Sequence, residues 1–274
     1  MAGMRVVIVG VSGRMGQALV RVAGEFPQIR ITGAVASAGS PSLGRDAAVL
    51  AGMAPMGIEV THDLPAALAA GDVAIDFSQP YATRANIAAC RAARKPLVVG
   101  TTGFAAELTQ AELDGAAGEI PLLIAPNTSL GVALLMELVR RAARVLPPEF
   151  DIEIIEAHHR MKRDAPSGTA LALARAAGEG RGLAPSEALS GASGGRVGPR
   201  RDGEIGFAVV RGGDIIGEHT VLFAGSGEEL RLGHRAGDRA IFARGALRAA
   251  LWLLGKPPGC YGMSDIVHVD QVLG

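Results

Sequence analysis

The stretch RVVIVGVSGRMG, Arg5–Gly16, constrains the fold more than any other part of the chain. Arg5–Gly10 is a short, nearly unbroken apolar run, which suits a strand covered on both faces by other elements. Gly10, Gly13 and Gly16 follow, and Met15, Leu19 and Val22 then recur at helical spacing. A strand that enters a helix through so glycine-rich a turn opens a βαβ unit, with backbone N–H groups exposed at the helix start. The order G-x-x-G-x-x-G departs from G-x-G-x-x-G by one place, Ser12 standing where the middle glycine usually lies. The physical demand is still met: a tight turn, close backbone approach and a helix N-terminus that faces a pyrophosphate, with Arg14 as an added cation.

The strand signal repeats at Ile29–Ala36, Asp72–Phe77, Pro96–Gly100 and Pro121–Ala125, and Tyr81–Arg94 and Phe104–Gly118 are alanine-rich and helix-prone. Such alternation predicts a parallel sheet with right-handed crossovers. After Asn127 the character changes. Leu130–Leu146 reads as a long helix stopped by Pro147-Pro148, and FDIEIIEA as a strand. Glu204–Ala224 reads as two strands around Gly212-Gly213, a hairpin, and Glu228–Ala236 as a further strand. Gly178–Asp202 has the composition of a long surface loop, and Arg239–Gly255 is a helix that returns to cover the first sheet. The expected class is α/β: a Rossmann-type doubly wound parallel sheet from residues 1–128 plus 240–274, with an inserted α+β mixed-sheet domain at 129–239.

Composition limits the partners. Among 274 residues, 27 Lys+Arg balance 27 Asp+Glu, so no basic excess marks a nucleic-acid or anionic-membrane surface. The longest uncharged run, Ile120–Met136, is broken by Pro121, Pro126 and Asn127, poor material for a membrane span. Cys90 and Cys260 have no metal-type spacing, and Cys90 reads as core. The expectation is a soluble, cytoplasmic protein without a metal.

In doubly wound sheets ligands lie beyond the carboxyl ends of the strands. Those ends read Phe77-Ser78, Gly100-Thr101-Thr102-Gly103 and Ala125-Pro126-Asn127-Thr128, small or hydrogen-bonding residues that together line a nucleotide groove. The second strand ends in VASAGSPSLGRD, with no charge before Arg45 and Asp46, so Ser37 is the candidate ribose or phosphate contact. NADH and NADPH stay equal on this count.

The chemistry concentrates in EIIEAHHRMKRDAPSGTA, Glu153–Ala170. Ser167-Gly168-Thr169 opens a helix, where capping and the dipole end make an anion cradle. His158 and Lys162 stand just upstream as groups able to give up a proton near neutral pH, as reduction by a hydride requires. Arg160 and Arg163 fit a solvated face. The pattern Glu153-Ile154-x-Glu156-x-His158-x-x-x-Lys162-x-Asp164-x-Pro166-Ser167-Gly168-Thr169-Ala170 resembles the signature of the 4-hydroxy-tetrahydrodipicolinate reductase (dihydrodipicolinate reductase) family, and GRMG, IDFS, VVGTTGF, GDIIGEHT and ALWLLGK resemble further family segments.

The resemblance implies NADH- or NADPH-dependent reduction of (2S,4S)-4-hydroxy-2,3,4,5-tetrahydrodipicolinate to tetrahydrodipicolinate with loss of water, in lysine and diaminopimelate biosynthesis. It implies a homotetramer built through the inserted domain. His158 is similar to the family's proton donor/acceptor and Lys162 to its proton donor. His159, Ser167, Gly168 and Thr169 are similar to the binders of the substrate's carboxylates. Gly10, Val11, Ser12, Gly13, Arg14 and Met15, then Gly100–Thr102 and Ala125–Thr128, are similar to the cofactor contacts. Arg239 falls where some members place a basic residue. Ser37 and Ala38 replace an acidic-basic pair of some members, and Thr128 an aromatic. Two rivals keep the nucleotide half: another two-domain amino- or hydroxy-acid dehydrogenase, and a non-catalytic nucleotide-binding regulator. Neither accounts for the His-Lys-Ser-Gly-Thr order.

Overall fold

The computed structural model describes residues 3–104, 108–193 and 200–267. In chain order the elements are β1 (Met4–Val9), α1 (Arg14–Ala23), β2 (Ile29–Val35), α2 (Ala47–Leu50), β3 (Val60–Thr61), α3 (Leu64–Ala69), β4 (Val73–Asp76), α4 (Pro80–Ala92), β5 (Leu97–Val99), α5 (Gln110–Ala117) and β6 (Pro121–Ile124). Then come α6 (Leu130–Val145), β7 (Asp151–His158), α7 (Gly168–Arg181), α8 (Pro185–Ala188), β8 (Ile205–Arg211), β9 (Glu218–Ala224), β10 (Glu229–Arg235), α9 (Ala240–Leu253) and β11 (Gly259–Tyr261). They divide into two compact units: the chain up to Ser129 together with Ala240–Ile266, and Leu130–Arg239. Residues from 268 onward, included in the sequence-based first domain, lie outside the described residues.

The first unit is built on a seven-stranded sheet in the order β3-β2-β1-β4-β5-β6-β11. Every pairing in it is parallel. The chain runs outward from β1 to β3, returns to β4, and runs outward the other way. The switch point between β1 and β4 is therefore where a doubly wound sheet opens a crevice. The apolar runs behave as expected of strands covered on both faces: Val73, Ala74, Ile75, Leu97, Val98 and Val99 are wholly buried. The returning helix α9 packs on α1 and over β4, β5 and β6. Arg244 at its middle grips Glu25 with two hydrogen bonds of 2.6 and 2.8 Å.

One expectation for this unit changes. The helix expected over Phe104–Gly118 forms only from Gln110, because Thr109 caps it in a reciprocal capping box with Glu112; residues 105–107 lie outside the described residues. Asp46, the acid after the second strand, is a structural hub. Its carboxylate accepts from the backbone N–H groups of Ala48, Val49, Met56, Gly57 and Ile58 at 2.7–3.2 Å. Burial works to raise its pKa, but these bonds prevail and hold it below the ordinary carboxylate range, and they leave it nothing for a ribose.

In the second unit a four-stranded sheet, β10-β9-β7-β8, carries α6 and α7 on one face over Leu135, Val139, Ile152, Ile154, Leu173, Val221 and Phe223. The expected hairpin around Gly212-Gly213 does not form. β8 pairs parallel with β7, β9 pairs antiparallel with the other edge of β7, and the segment from Gly212 to Gly217 crosses the end of β7 between them. The hairpin in this sheet is β9–β10. The expected loop at Gly178–Asp202 is also partly helical. Gly178 and Gly180 belong to α7, where they are contact points: an added Cβ at Gly180 would lie 2.3 Å from Arg140 O, and one at Gly178 2.5 Å from Ala188 Cβ. Gly182, at φ +72°, ends α7, and α8 follows; 194–199 lie outside the described residues.

The glycines of the first turn divide by role. Gly10 has φ +84°, and a Cβ there would lie 2.5 Å from Phe77 O; at Gly16 it would lie 2.3 Å from Gly10 O and 2.5 Å from Val11 Cα. Backbone cannot yield to such contacts, whereas Gly13 meets only Gly10 O at 3.3 Å. We expect Gly16→Ala to lower unfolding free energy by about 3 kcal/mol or to prevent folding, and Gly13→Ala to stay within about 1 kcal/mol of the parent in denaturant titration.

Candidate active site

On β7 alternate residues face the covered side of the sheet, so Ile152, Ile154, Glu156 and His158 are buried in register. Two polar groups thus continue an apolar row. Glu156 has no exposed surface, and four hydrogen-bonding nitrogens surround its two oxygens. Arg211 grips it with both guanidinium arms, Nη1 to Oε2 at 2.7 Å and Nη2 to Oε1 at 2.8 Å. His158 Nδ1 lies 2.5 Å from Oε2, and Ser167 N–H donates to Oε1 at 3.0 Å. Burial works to raise the carboxyl's pKa, but the bonds to Arg211, His158 and Ser167 prevail and hold Glu156 ionised, below the ordinary range.

Strand pairing brings these partners together: His158 lies opposite Arg211 on β8, and Glu156 opposite His219 on β9. The two imidazoles meet edge to face, with centroids 5.0 Å apart at 73°. Ser167 caps α7. Its Oγ accepts from Ala170 N–H at 3.1 Å and bonds His219 Nε2 at 2.9 Å. Lys162 Nζ holds Asp164 at 2.8 and 2.9 Å, and Arg211 Nη2 donates to the Asp164 carbonyl at 2.8 Å, which ties the loop ahead of α7 to β8. Arg160 and Arg163 are exposed, as expected of a solvated face. His158, Lys162, His159, Ser167, Gly168 and Thr169 thus fall on the end of β7, the loop after it and the start of α7. Arg239 is exposed just before α9.

Arg211 has no place in the sequence reading, His219 stands only within GDIIGEHT, and Glu156 and Asp164 stand only within the signature. The legible signal for Glu156 was its parity: an acid in step with Ile152 and Ile154 on a strand with one covered face. Arg211 and His219 were hidden by the expected hairpin, which would have left β7 out from between them.

In the first unit, Gly10, Val11, Ser12, Gly13, Arg14 and Met15 form the turn from β1 into α1. Gly13 is the helix N-cap and offers no side-chain acceptor, and the first turn carries no acid. The amides at this helix start are thus left uncapped by side chains, with exposed Ser12 and Arg14 beside them. That donor set fits a pyrophosphate. Across the switch point, buried Asp76 shapes the next loops: Oδ1 accepts from Ser78 N–H at 2.8 Å and Thr101 Oγ1 at 3.3 Å, and Oδ2 from Asn86 Nδ2 at 3.1 Å. The Phe77 ring fills the place of a side chain at Gly100, where a Cβ would lie 2.2 Å from it. Thr128 Oγ1 donates to Phe242 O at 2.6 Å, and Asn127 Oδ1 accepts from Ser129 N–H at 2.9 Å. Phe77, Thr101, Asn127 and Thr128 therefore brace the loops, whereas Thr102, Pro126 and Ser37 are exposed, and Ala125 is buried behind Pro126. Among the described residues no cluster of His, Cys, Asp and Glu could hold a metal ion. Both cysteines are free; burial pushes the Cys90 thiol up to about 12.

Comparison with known proteins agrees with this arrangement. Residues 4–128 match the N-terminal and 131–267 the C-terminal part of dihydrodipicolinate reductase. The chain belongs to the dihydrodipicolinate reductase family. The relatives include proteins called 4-hydroxy-tetrahydrodipicolinate reductase from Alkalilimnicola ehrlichii, 50% identical over 96% of this chain and 98% of that one, and from Methylocella silvestris, 48% identical over 99% of each. A dipicolinate-bound dihydrodipicolinate reductase from Paenisporosarcina sp. TG-14 superposes with TM-score 0.76 at 27% identity, covering 97% of this chain and 100% of that one. As a member of this family the protein is an NAD(P)H-dependent oxidoreductase.

Burial, with the nearby His158 adding to it, pushes His219 from 6.5 down to about 4. Between those values the unfolded chain binds more protons, so this group's contribution is complete above pH 6.5 and is lost as pH falls toward 4. That contribution is about 3 kcal/mol. We expect His219→Gln to reduce the slope of unfolding free energy against pH by about one proton, ~1.4 kcal/mol per pH unit, in urea titrations across that window.

Proposed function

We propose that the protein reduces 4-hydroxy-tetrahydrodipicolinate to tetrahydrodipicolinate with loss of water, within diaminopimelate and lysine biosynthesis. The observation that carries this reading is the convergence at one helix mouth of His158, its Nδ1 held by a buried carboxylate, with Lys162 and the opening residues of α7. The substrate is a cyclic dicarboxylate, and loss of its hydroxyl leaves a conjugated imine. NADH or NADPH, when bound, supplies the hydride.

The residues of this chain do the rest. Gly168 and Thr169 open α7 and meet a carboxylate with backbone donors and the positive dipole end. His159 and Lys162 add donors and charge beside them. Ser167, whose hydroxyl and N–H are occupied internally, keeps the mouth in shape. His158 exchanges a proton with the ring as its electron pair moves, and Lys162 is the second donor. The first unit is the dinucleotide-binding domain, with Gly10–Met15, Gly100–Thr102 and Ala125–Thr128 as its contact loops and Ser37 beside the ribose. The second, 129–239, holds the substrate.

With Asp46 committed to backbone amides, no acid at the end of β2 repels a 2′-phosphate, which supports the use of both nucleotides. A homotetramer is part of the reading, supported by Val209 and Val210, exposed by 41% and 48% on the edge strand β8. So is a cytoplasmic location; among the described residues no helix is long and apolar enough to cross a membrane.

The deciding experiment follows absorbance loss from NADH and NADPH in parallel with enzymatically generated substrate. Turnover with both is expected. His158→Ala and Lys162→Ala should each lower kcat by ~10²–10⁴-fold while nucleotide binding persists. A change below threefold in both would remove the acid roles. Nucleotide binding without turnover in the parent would favour the regulator.

A further inference from the structure

Free imidazole exchanges between two neutral tautomers, and only one leaves Nε2 able to take up a proton and hand it on. At His158 the surroundings discriminate between them. Glu156 Oε2 lies 2.5 Å from Nδ1, and this carboxylate also accepts both arms of Arg211 and the N–H of Ser167. An ionised carboxylate is an acceptor only, so Nδ1 must carry the hydrogen. Arg211 secures that ionisation, and the backbone of Ser167 fixes the other oxygen, so Glu156 cannot turn away. On the opposite side of the ring, the segment that crosses the end of β7 brings Gly217 to Nε2. A Cβ at Gly217 would lie 3.2 Å from Nε2 and 3.5 Å from Cδ2. Gly217 does not have a left-handed φ, so its backbone admits alanine, and what the glycine supplies is open space at one nitrogen.

We propose that Glu156, held by Arg211, is a positioning residue that fixes the Nδ1–H tautomer of His158 and commits Nε2 to proton exchange, and that Gly217 is kept without a side chain to leave Nε2 accessible. This deepens the reductase reading and rests on it for the kinetic consequences, but the tautomer itself does not depend on any substrate.

The groups facing His158 from the packed elements are Glu156 on β7, Arg211 on β8, His219 on β9, and Lys162 with its partner Asp164 in the loop before α7. Burial lowers the imidazole's pKa most, Lys162 and Arg211 lower it further, and Glu156 opposes them. Removing Glu156's charge therefore drops the His158 pKa, so the imidazolium is lost at a lower pH and an acid-dependent rate loses its alkaline limb earlier.

The first test is long-range nitrogen–proton NMR of histidine-labelled protein in the alkaline range, with His158 assigned by His158→Gln. The expected pattern has Nδ1 protonated and Nε2 bare. A protonated Nε2, or a mixture, overturns the proposal whether or not the enzyme turns over. The second test is kinetic. Glu156→Gln should lower kcat by about 10²-fold, leave the KM for NADPH within twofold and move the alkaline limb of the pH profile to lower pH. Gly217→Ala, at unchanged melting temperature and with the same tautomer, should lower kcat by about tenfold or more. An unmoved pH profile in Glu156→Gln, or a wild-type kcat in Gly217→Ala, sinks the corresponding part. Should Glu156→Gln fail to fold, the NMR of the parent and the Gly217 variant still decide. Loss of all turnover in the parent, with Nδ1–H in place, would count against the reductase reading and leave the tautomer assignment standing.

Discussion

A carboxylate with no exposed surface, Glu156, organises the second unit around itself. Left alone, such a charge would be protonated or would unfold its surroundings, and removing one member of a buried ion pair costs about 3–5 kcal/mol. Here the guanidinium of Arg211, the imidazole of His158 and the N–H of Ser167 surround its two oxygens. Each comes from a different part of the chain: β8, β7 and the start of α7. Satisfying this one group thus pins the end of β7 to its parallel neighbour and to the mouth of the helix that crosses over between them. The same bonds that relieve a stability problem place an imidazole, a helix start and a basic loop side by side.

The first unit solves a different problem with the same economy. Its loops must present backbone groups at the strand ends, and several of their side chains are turned inward to hold that shape. Asp76 fastens Ser78 and Thr101, Asn127 fastens Ser129, and Thr128 reaches back to Phe242 in α9. This is why the composition of those loops looked like a ligand groove and is also what a rigid scaffold requires. Among the candidate cofactor contacts, the side chains that remain exposed at the strand ends are Ser12, Arg14, Ser37, Thr102 and Pro126.

The parallel sheet was legible because its strands are apolar on both faces and separated by alanine-rich helices, a pattern set by local burial. Five of its seven strands carry that pattern; β3 and β11, of two and three residues, are too short to show one, and the order of the strands comes from the pairing. The order of the mixed sheet was not legible. Two strand-like runs around Gly212-Gly213 satisfy every local condition for a hairpin, and only the long-range pairing of β7 with both neighbours excludes it. The candidate site divides along the same line. His158, Lys162 and Ser167–Thr169 lie within one short stretch and could be found from it, whereas Arg211 and His219 enter by strand pairing across more than fifty residues. Gly178 and Gly180 misled for a related reason. Glycine reads as loop locally, but here the missing Cβ atoms let α7 approach Arg140 and Ala188.

The charges around His158 form a nearly balanced set: Arg211 and Lys162 against Glu156 and Asp164. Burial then decides the protonation of the imidazole and keeps it below its ordinary value, biased toward the neutral form. On the proposed reading, a dicarboxylate arriving at the mouth of α7 would upset that balance by two negative charges, and His158 is the buried titratable group beside it that can answer. Its pKa must rise on binding, since an added anion favours the cationic form of any neighbouring base. With Nδ1 already occupied by Glu156, the incoming proton has only Nε2 to occupy. On the proposed reading the acid is therefore armed by the substrate it protonates, and the neutral imidazole of the resting site is the state from which that coupling starts.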